Sequence, residues 1–462
     1  MNRRLFLQQS SCALALLSAV AKTAAASNVI TYQYPRLAPR SPLYKVWAGG
    51  HEQVVYQTSV GGMATFACDG DVEIEVQVPP TAREVRVAPA RYAITAAKTG
   101  DRLRFRMPSG ANLLVEIDSL PHLFIFANKP EAHLPDPSAQ GVHYFKAGQI
   151  YEVGELRLRD NETLYIEGGA VVRGCVRATS AKNVRVAGHG ILDGGFYQKE
   201  IDSRRLIVFE QCHNSTIENI TLIEPSSWMI MLGDCEDVTL SNVKELGLLG
   251  GTDGVDIVGS RRIRVQNGFL RNGDDCIAIK SLDMRRHGKD ASVDFTRDVQ
   301  DIDIVGCSFM AYLGGQAMEV GHELRSQSIK GIRFRDCDVL KKPNYGAPFG
   351  IHNADGATVS DVLFENIRVE HHYDKLVDFR IIESRWSQGK TRGHVRNVTL
   401  RNIDVTVSQF NTGYTMSLIG GFNKDHKIVG VTFDNFRLNG KRATKPDDLD
   451  LYTRYAEKIG FR

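Results

Sequence analysis

Between Val184 and Phe436 one short pattern keeps returning, apolar-x-apolar-x-Asn-apolar or a near relative of it. It is carried by Val238, Leu240, Asn242 and Val243, then by Ile263, Val265 and Asn267, then by Ile302, Ile304, Gly306 and Cys307. Further copies are Ile332, Phe334, Asp336, Cys337; Val362, Phe364, Asn366, Ile367; Val398, Leu400, Asn402, Ile403; and Val431, Phe433, Asn435, Phe436. Asn219 with Ile220, and Val184, Val186 and Gly188, fit more loosely. From Asn219 onward the steps between equivalent positions are 23, 25, 39, 30, 30, 36 and 33 residues. Alternation with period two excludes helical repeats, whose faces recur every 3.6 residues. A basic step in the low twenties, lengthened by insertions, describes a coil that returns to the same place once per turn. The expected fold is all-β: a right-handed parallel β-helix that buries its apolar residues in a shared core and stacks Asn or Asp at its turns as a hydrogen-bonded ladder.

The flanks read differently. From residue 28 to about 127, short runs such as Val72 to Val76, Leu103 to Arg106, Leu113 to Ile117 and Leu123 to Phe126 alternate with turn residues. That spacing predicts a small N-terminal β-sandwich-like domain over 27–135, whose expected role is to cover an open end of the coil. Pro130, Pro135 and Pro137 mark the linker into a β-helix over 136–445. After Pro446, Leu449, Tyr452, Tyr455 and Ile459 have helical spacing and predict a capping helix over 446–462. Residues 1–26 have the order of an export signal: Arg3 and Arg4, an apolar stretch from Ala13 to Ala21, and Ala24 to Ala26. The paired arginines followed by Leu5, Phe6 and Leu7 resemble a twin-arginine signal, with an ordinary secretory signal as the alternative. Either implies a periplasmic or secreted bacterial protein.

A formal net charge of +3 gives nucleic-acid binding no support. Beyond the N-terminus no apolar run is long enough to span a bilayer. Cleavage would leave seven cysteines, an odd number without any C-x-x-C, so they read as buried thiols and not as a zinc site. No metal or organic cofactor is expected.

The chemistry concentrates between Gly251 and Ser281. G-T-D-G-V-D-I and N-G-D-D-C-I-A-I-K-S each place an acid just before a short alternating run, 22 residues apart from Asp253 to Asp275. On successive coils Asp253 and Asp275 would share a column about 4.8 Å apart, with Asp274 beside the second. Three crowded carboxyls resist ionising together, which is the raw material of acid–base chemistry.

These two motifs resemble those of the polygalacturonases of glycoside hydrolase family 28, which carry N-T-D and G-D-D on successive coils of a right-handed β-helix. The resemblance extends from about Val142 to Gly440 and is specific at the three acids. It implies that Asp274 is the general acid and that Asp253 and Asp275 hold and activate the attacking water. Acid and base separated by that water predict inversion at the anomeric carbon. Gly251 replaces the family's Asn, which removes one polar contact.

Other family positions are altered. The segment G-H-G-L-x-I-G best matches Gly315 to Gly321, so the family's histidine falls on Gln316, as in the rhamnogalacturonan-cleaving branch. The cationic R-I-K motif is replaced by Gly350-Ile351-His352-Asn353, which makes plain polygalacturonan a poorer substrate. Glu319, His352 and Arg380 alternate outward and are expected along the cleft with Gln316, Asp256 and Lys280. His322 lies just beyond, and Trp228 opens the preceding coil and could stack on a sugar. Arg285 and Arg286, with His287 and Lys289, form a basic loop that could read an anionic substituent or be merely solvated. The expected activity is inverting hydrolysis of a pectin-like or other plant or algal polysaccharide, or of its oligosaccharides. A neutral glucan such as dextran is an alternative substrate. A β-helical polysaccharide lyase and a non-catalytic carbohydrate-binding β-helix are alternative functions. Oligomeric state is left open.

Overall fold

The computed structural model describes residues 28–197, 201–286, 293–407 and 415–462. The export segment, His287, Lys289 and the side chain of Arg286 lie outside the described residues.

From Val142 the chain forms one continuous, right-handed parallel β-helix. Each coil lays its strands in register on the coil before. Ile230–Gly233 pairs with Val255–Val258, which pairs with Ile277–Ser281, then Met318–Leu324, Phe349–Asn353 and Val377–Ile381. Alternation decides what each residue meets. Ile230, Val255, Ile277, Met318, Phe349 and Val377 stack inward as one buried column of the core. Met231, Asp256, Ala278, Glu319, Gly350 and Asp378 form the adjacent column that points away from it. Full burial of each large apolar side chain contributes about 1.5–3 kcal/mol. All seven cysteines among the described residues are buried and unpaired.

The ladder is a backbone device. Asn219, Asn242, Asn267, Gly306, Asp336, Asn366, Asn402 and Asn435 all have φ between 52° and 69°. Asn, Asp and Gly tolerate this left-handed region best, which is why they alone occupy the position. At the turn the side chains then hydrogen-bond from coil to coil. Asn242 Nδ2 donates to Asn219 Oδ1 at 3.0 Å, and Asn366 Nδ2 to Asp336 Oδ1 at 2.9 Å. Asn402 Nδ2 donates to Asn366 Oδ1 at 3.1 Å and Asn435 Nδ2 to Asn402 Oδ1 at 2.9 Å. A Cβ at Gly306 would lie 2.6 Å from Asn267 Oδ1, so that copy dispenses with a side chain.

Residues 29–128 form two sheets face to face. One runs Val29–Thr31, Gly61–Cys68, His122–Asn128, Asn112–Ile117, Val85–Ala88, with Val55–Thr58 against Gly61–Cys68. The other runs His51–Gln53, Lys45–Ala48, Val72–Gln77, Arg102–Met107, Ala97–Thr99. This sandwich does not cover an end of the coil as expected; it lies along its side. The second face of its first sheet is also apolar, through Tyr56, Met63, Leu114, Phe124 and Phe126. That face packs on Val171, Ile191, Ile223, Leu246, Phe269, Met310 and Leu340 from successive coils.

The capping helix expected over 446–462 is also corrected. Pro446–Leu449 is a single 3-10 turn, and Leu451–Arg454 and Ala456–Phe461 are strands paired with Ser417–Gly420 and Ile428–Leu438. Asp450, Tyr455 and Lys458 have φ of 46°, 48° and 56°, which breaks any helix. The period-two pair Ile459 and Phe461 completes the last coil, with Phe461 stacked on Phe433 at 4.8 Å.

Candidate active site

Asp253 and Asp275 each stand two residues ahead of strands whose register is Val255 to Ile277. The Gly254 N–H donates to the Asp275 carbonyl at 2.8 Å, that of Cys276 to the Gln316 carbonyl at 3.0 Å, and that of Met229 to the Asp253 carbonyl at 2.8 Å. Trp228, Asp253, Asp275 and Gln316 therefore hold one position on four successive coils. Asp253 and Asp275 are buried, whereas Asp274 beside them is partly exposed. The Gly251 N–H donates to Asp274 Oδ2 at 2.9 Å, so the glycine that replaces an asparagine still anchors the acid through its backbone. Asp275 Oδ1 accepts the Gln316 N–H at 2.5 Å. Gly315, at φ 64°, presses against this turn: a Cβ there would lie 2.4 Å from the Asp275 nitrogen and 2.5 Å from Asp274 Oδ1.

The three acids open into a cleft of about 390 Å³, within the range of small-ligand sites. Trp228, Lys280, Gln316, His322, Glu323, Arg385 and Trp386 line it with Gly251, Gly314 and Gly315. Burial pushes the Asp253 carboxyl well above its ordinary range; Asp256 and Asp274 add to the shift, and Lys280 opposes it. Burial likewise raises Asp275, reinforced by Asp253, Asp274 and Glu319. The pair thus resists carrying two negative charges.

The remaining expected residues divide. Lys280, Gln316 and His322 line the cleft. Asp256 is fully buried beneath it, 2.9 Å from Lys280 Nζ, and burial raises its carboxyl to about 6 against the pull of that lysine. Glu319 and His352 were expected along the cleft, yet both are fully buried. Opposite charges on neighbouring coils pair with one another: His352 Nδ1 lies 2.8 Å from Glu319 Oε1, and His352 Nε2 lies 3.4 Å from Asp378. Arg380, also expected there, is committed to Asp378 at 2.7 Å and is absent from the lining. Trp228 lines the cleft but is only 9% exposed, with the cations of Arg205 and Lys280 over its ring at 4.4 and 4.2 Å. Arg285 pairs with Asp283 at 2.7 Å and Asp294 at 3.5 Å, outside the cleft.

Glu323, Arg385 and Trp386 had no motif to announce them. The segment carrying the last two is pinned by contacts remote in sequence. Asp355 Oδ1 accepts the Gln388 and Gly389 N–H groups at 2.8 and 2.6 Å, and Gln388 Oε1 accepts the Asp283 N–H at 2.9 Å.

Glu319, His322 and His352 offer donor atoms within 4.8 Å of one another, the spacing of a metal site. Their chemistry does not fit one. Burial opposes the charge on His352, but Glu319 and Asp378 overcome this and raise it to about 9, so near neutral pH a proton competes with any metal for the ring. Its neighbour His322, stacked on it at 4.5 Å, is held neutral by burial and by the cations of His352, Lys280 and Arg380.

Residues 164–449 match the model of "Glycosyl hydrolases family 28". An exopolygalacturonase of Zea mays is 25% identical over 244 residues, covering 49% of this chain and 55% of that protein. A polygalacturonase of Persea americana is 31% identical over 77 residues, covering 16% and 17%. The chain thus spans about half, or less, of these relatives. Among solved structures, Dex49A from Penicillium minioluteum superposes with a TM-score of 0.64 at 16% identity over 93% of this chain and 96% of that one. The Yersinia enterocolitica family 28 exopolygalacturonase gives 0.52 at 12% identity over 94% and 98%. With well over half of its length matched to the family's model, the chain belongs to glycosyl hydrolase family 28.

Proposed function

We propose that this protein is an exported, inverting glycoside hydrolase acting on a pectin-like or other plant or algal polysaccharide, or on oligosaccharides from it. One observation carries the reading: two buried carboxylates stand in register on adjoining coils, at a saccharide-sized cleft, with a third and more exposed carboxylate beside them. In the proposed cycle Asp274 gives its proton to the glycosidic oxygen as the bond to the anomeric carbon breaks. Water held by Asp253 and Asp275 attacks the opposite face and gives its proton to that pair. Exchange with solvent then returns a proton to Asp274.

The names of the relatives motivate a uronate polymer. The exchange of R-I-K for the stretch around His352 argues against plain polygalacturonan, since a charge-assisted partner contributes more than about 1.5 kcal/mol. Trp386, 41% exposed at the cleft with Arg385 over its ring at 4.6 Å, offers a sugar more surface than Trp228 does. Arg385 beside it has no carboxylate partner among the described residues and suits an acidic substituent. Export is supported by the pattern of residues 1–26. Among the described residues no helix is long and apolar enough to cross a membrane.

The test is a panel of rhamnogalacturonan, polygalacturonan, dextran and sulfated algal glycans. The wild type should release reducing ends from at least one, and Asp274→Asn should release none while still binding it. Undiminished turnover by Asp274→Asn contradicts the assignment, and an unsaturated product absorbing in the ultraviolet would make the protein a lyase.

A further inference from the structure

The two buried acids of the cleft are not equivalent, and the difference lies in one lysine. Lys280 Nζ is 3.2 Å from Asp253 Oδ2 and 2.9 Å from Asp256, the two carboxylates of the preceding coil. Its side chain is nine-tenths buried, and Trp228 closes over it at 4.2 Å. No ion pair joins Lys280 to Asp275, whose Oδ1 accepts the Gln316 N–H. We propose that Lys280 is a positioning residue that selects Asp253, and not Asp275, as the charged carboxylate facing the attacking water, with Trp228 as the cover that keeps the lysine on its acids. The inference rests on the hydrolase reading for its catalytic meaning, but the charge selection is a property of the resting protein.

The surroundings agree with this division. Burial and the carboxyl groups of Asp256 and Asp274 raise Asp253, and the Lys280 ammonium opposes them. Asp275 feels Asp253, Asp274 and Glu319, and Lys280 only weakly. Lys280 is itself held charged, well above its ordinary range. Burial opposes that charge and is outweighed by Asp256 and Asp253, then Glu323 and Asp275. Arg205 faces Asp256 from the other side of the tryptophan's coil, and neutral His322 faces Lys280 from the following one. A proton shared between Asp253 and Asp275 therefore rests on Asp275, where the lysine is not. The base that first accepts the water's proton is Asp253.

Carboxyl-stretch infrared titration needs no substrate and reads this directly. The band lost in Asp253→Asn assigns one acid and the band lost in Asp275→Asn the other, and the shift of the remaining acid in each variant gives their coupling. In the resting wild type Asp253 should ionise at the lower pH. Lys280→Met should raise the Asp253 midpoint by about one unit or more. Lys280→Arg should restore it in large part. Asp256→Asn, which keeps the lysine and frees it from its other partner, should lower the midpoint instead. This opposite sign guards against Lys280→Met failing to fold. On a hydrolysed glycan the acidic limb of kcat should move with each variant in the same direction. Asp253 midpoints that do not follow Lys280 and Asp256 in this way, or a lower midpoint on Asp275, overturn the selection even if the wild type hydrolyses glycans. Failure of every glycan to turn over would strike the hydrolase reading and leave the infrared result standing.

Discussion

The asparagine ladder and the acid column use the same geometry for opposite ends. Both set polar side chains on one position of successive coils, a spacing close enough for direct contact. An amide donates with one atom and accepts with another, so Asn402 can give to Asn366 and receive from Asn435 without charge. A carboxylate only accepts when ionised. Ionised together, Asp253 and Asp275 could not hydrogen-bond to each other, and Asp253 raises the affinity of Asp275 for a proton. The ladder turns stacking into stability; the column turns the same stacking into a strained, titratable site that the rest of the coil must sustain.

The sharpest way to break this contrast is to write the ladder's chemistry into the column. Asp275→Asn keeps the shape and removes a buried acid. Turnover should fall by about 10²- to 10⁴-fold, while the thermal midpoint holds or rises. Steady-state kinetics and a melt on the same sample check both. Next in size is Gly315→Ala. Its Cβ would collide with the Asp275 backbone and the Asp274 carboxylate, and a displacement of about 1 Å at such a site costs about 10²-fold in kcat. The fold should survive, as circular dichroism would show.

A third effect depends on pH. His352 is raised from an ordinary 6.5 to about 9 because Glu319 and Asp378 outweigh burial. A raised value means that the protonated pairing stabilises fully below about pH 6.5 and is lost as pH climbs through 9. The stability gap between the wild type and His352→Gln should therefore be widest near pH 6, with an upper bound of about 3 kcal/mol, and should close above pH 9. Denaturant titrations across that range measure it. The smallest effect belongs to the ladder. Asn366→Ala forfeits two hydrogen bonds and an L-residue tolerant of φ 55°, and should cost about 2 kcal/mol with kcat unchanged.

The sequence displays the periodic parts of the molecule and hides the contingent ones. Asn at a fixed offset announces a left-handed turn because few other residues tolerate it. The matched runs after Asp253 and Asp275 announce adjoining coils because registered strands must repeat their pattern. Outward alternation does not announce exposure. Glu319 and His352 point away from the core yet are sealed by pairing between coils, which only the coordinates of both partners reveal. Arg385 and Trp386 reach the cleft through Asp355 and Asp283, the latter 105 residues from Gln388, a distance no local pattern spans. At the C-terminus, helical spacing from Leu449 to Ile459 misleads because three left-handed residues break the chain into strands.

Proton magnetic resonance of the sugar released in the first seconds of turnover tests the central claim most directly. Water clasped by Asp253 and Asp275, across the sugar from Asp274, must yield the anomer opposite to that of the substrate. Release of the same anomer would contradict the account, because it would require one of these acids to bond covalently to the sugar.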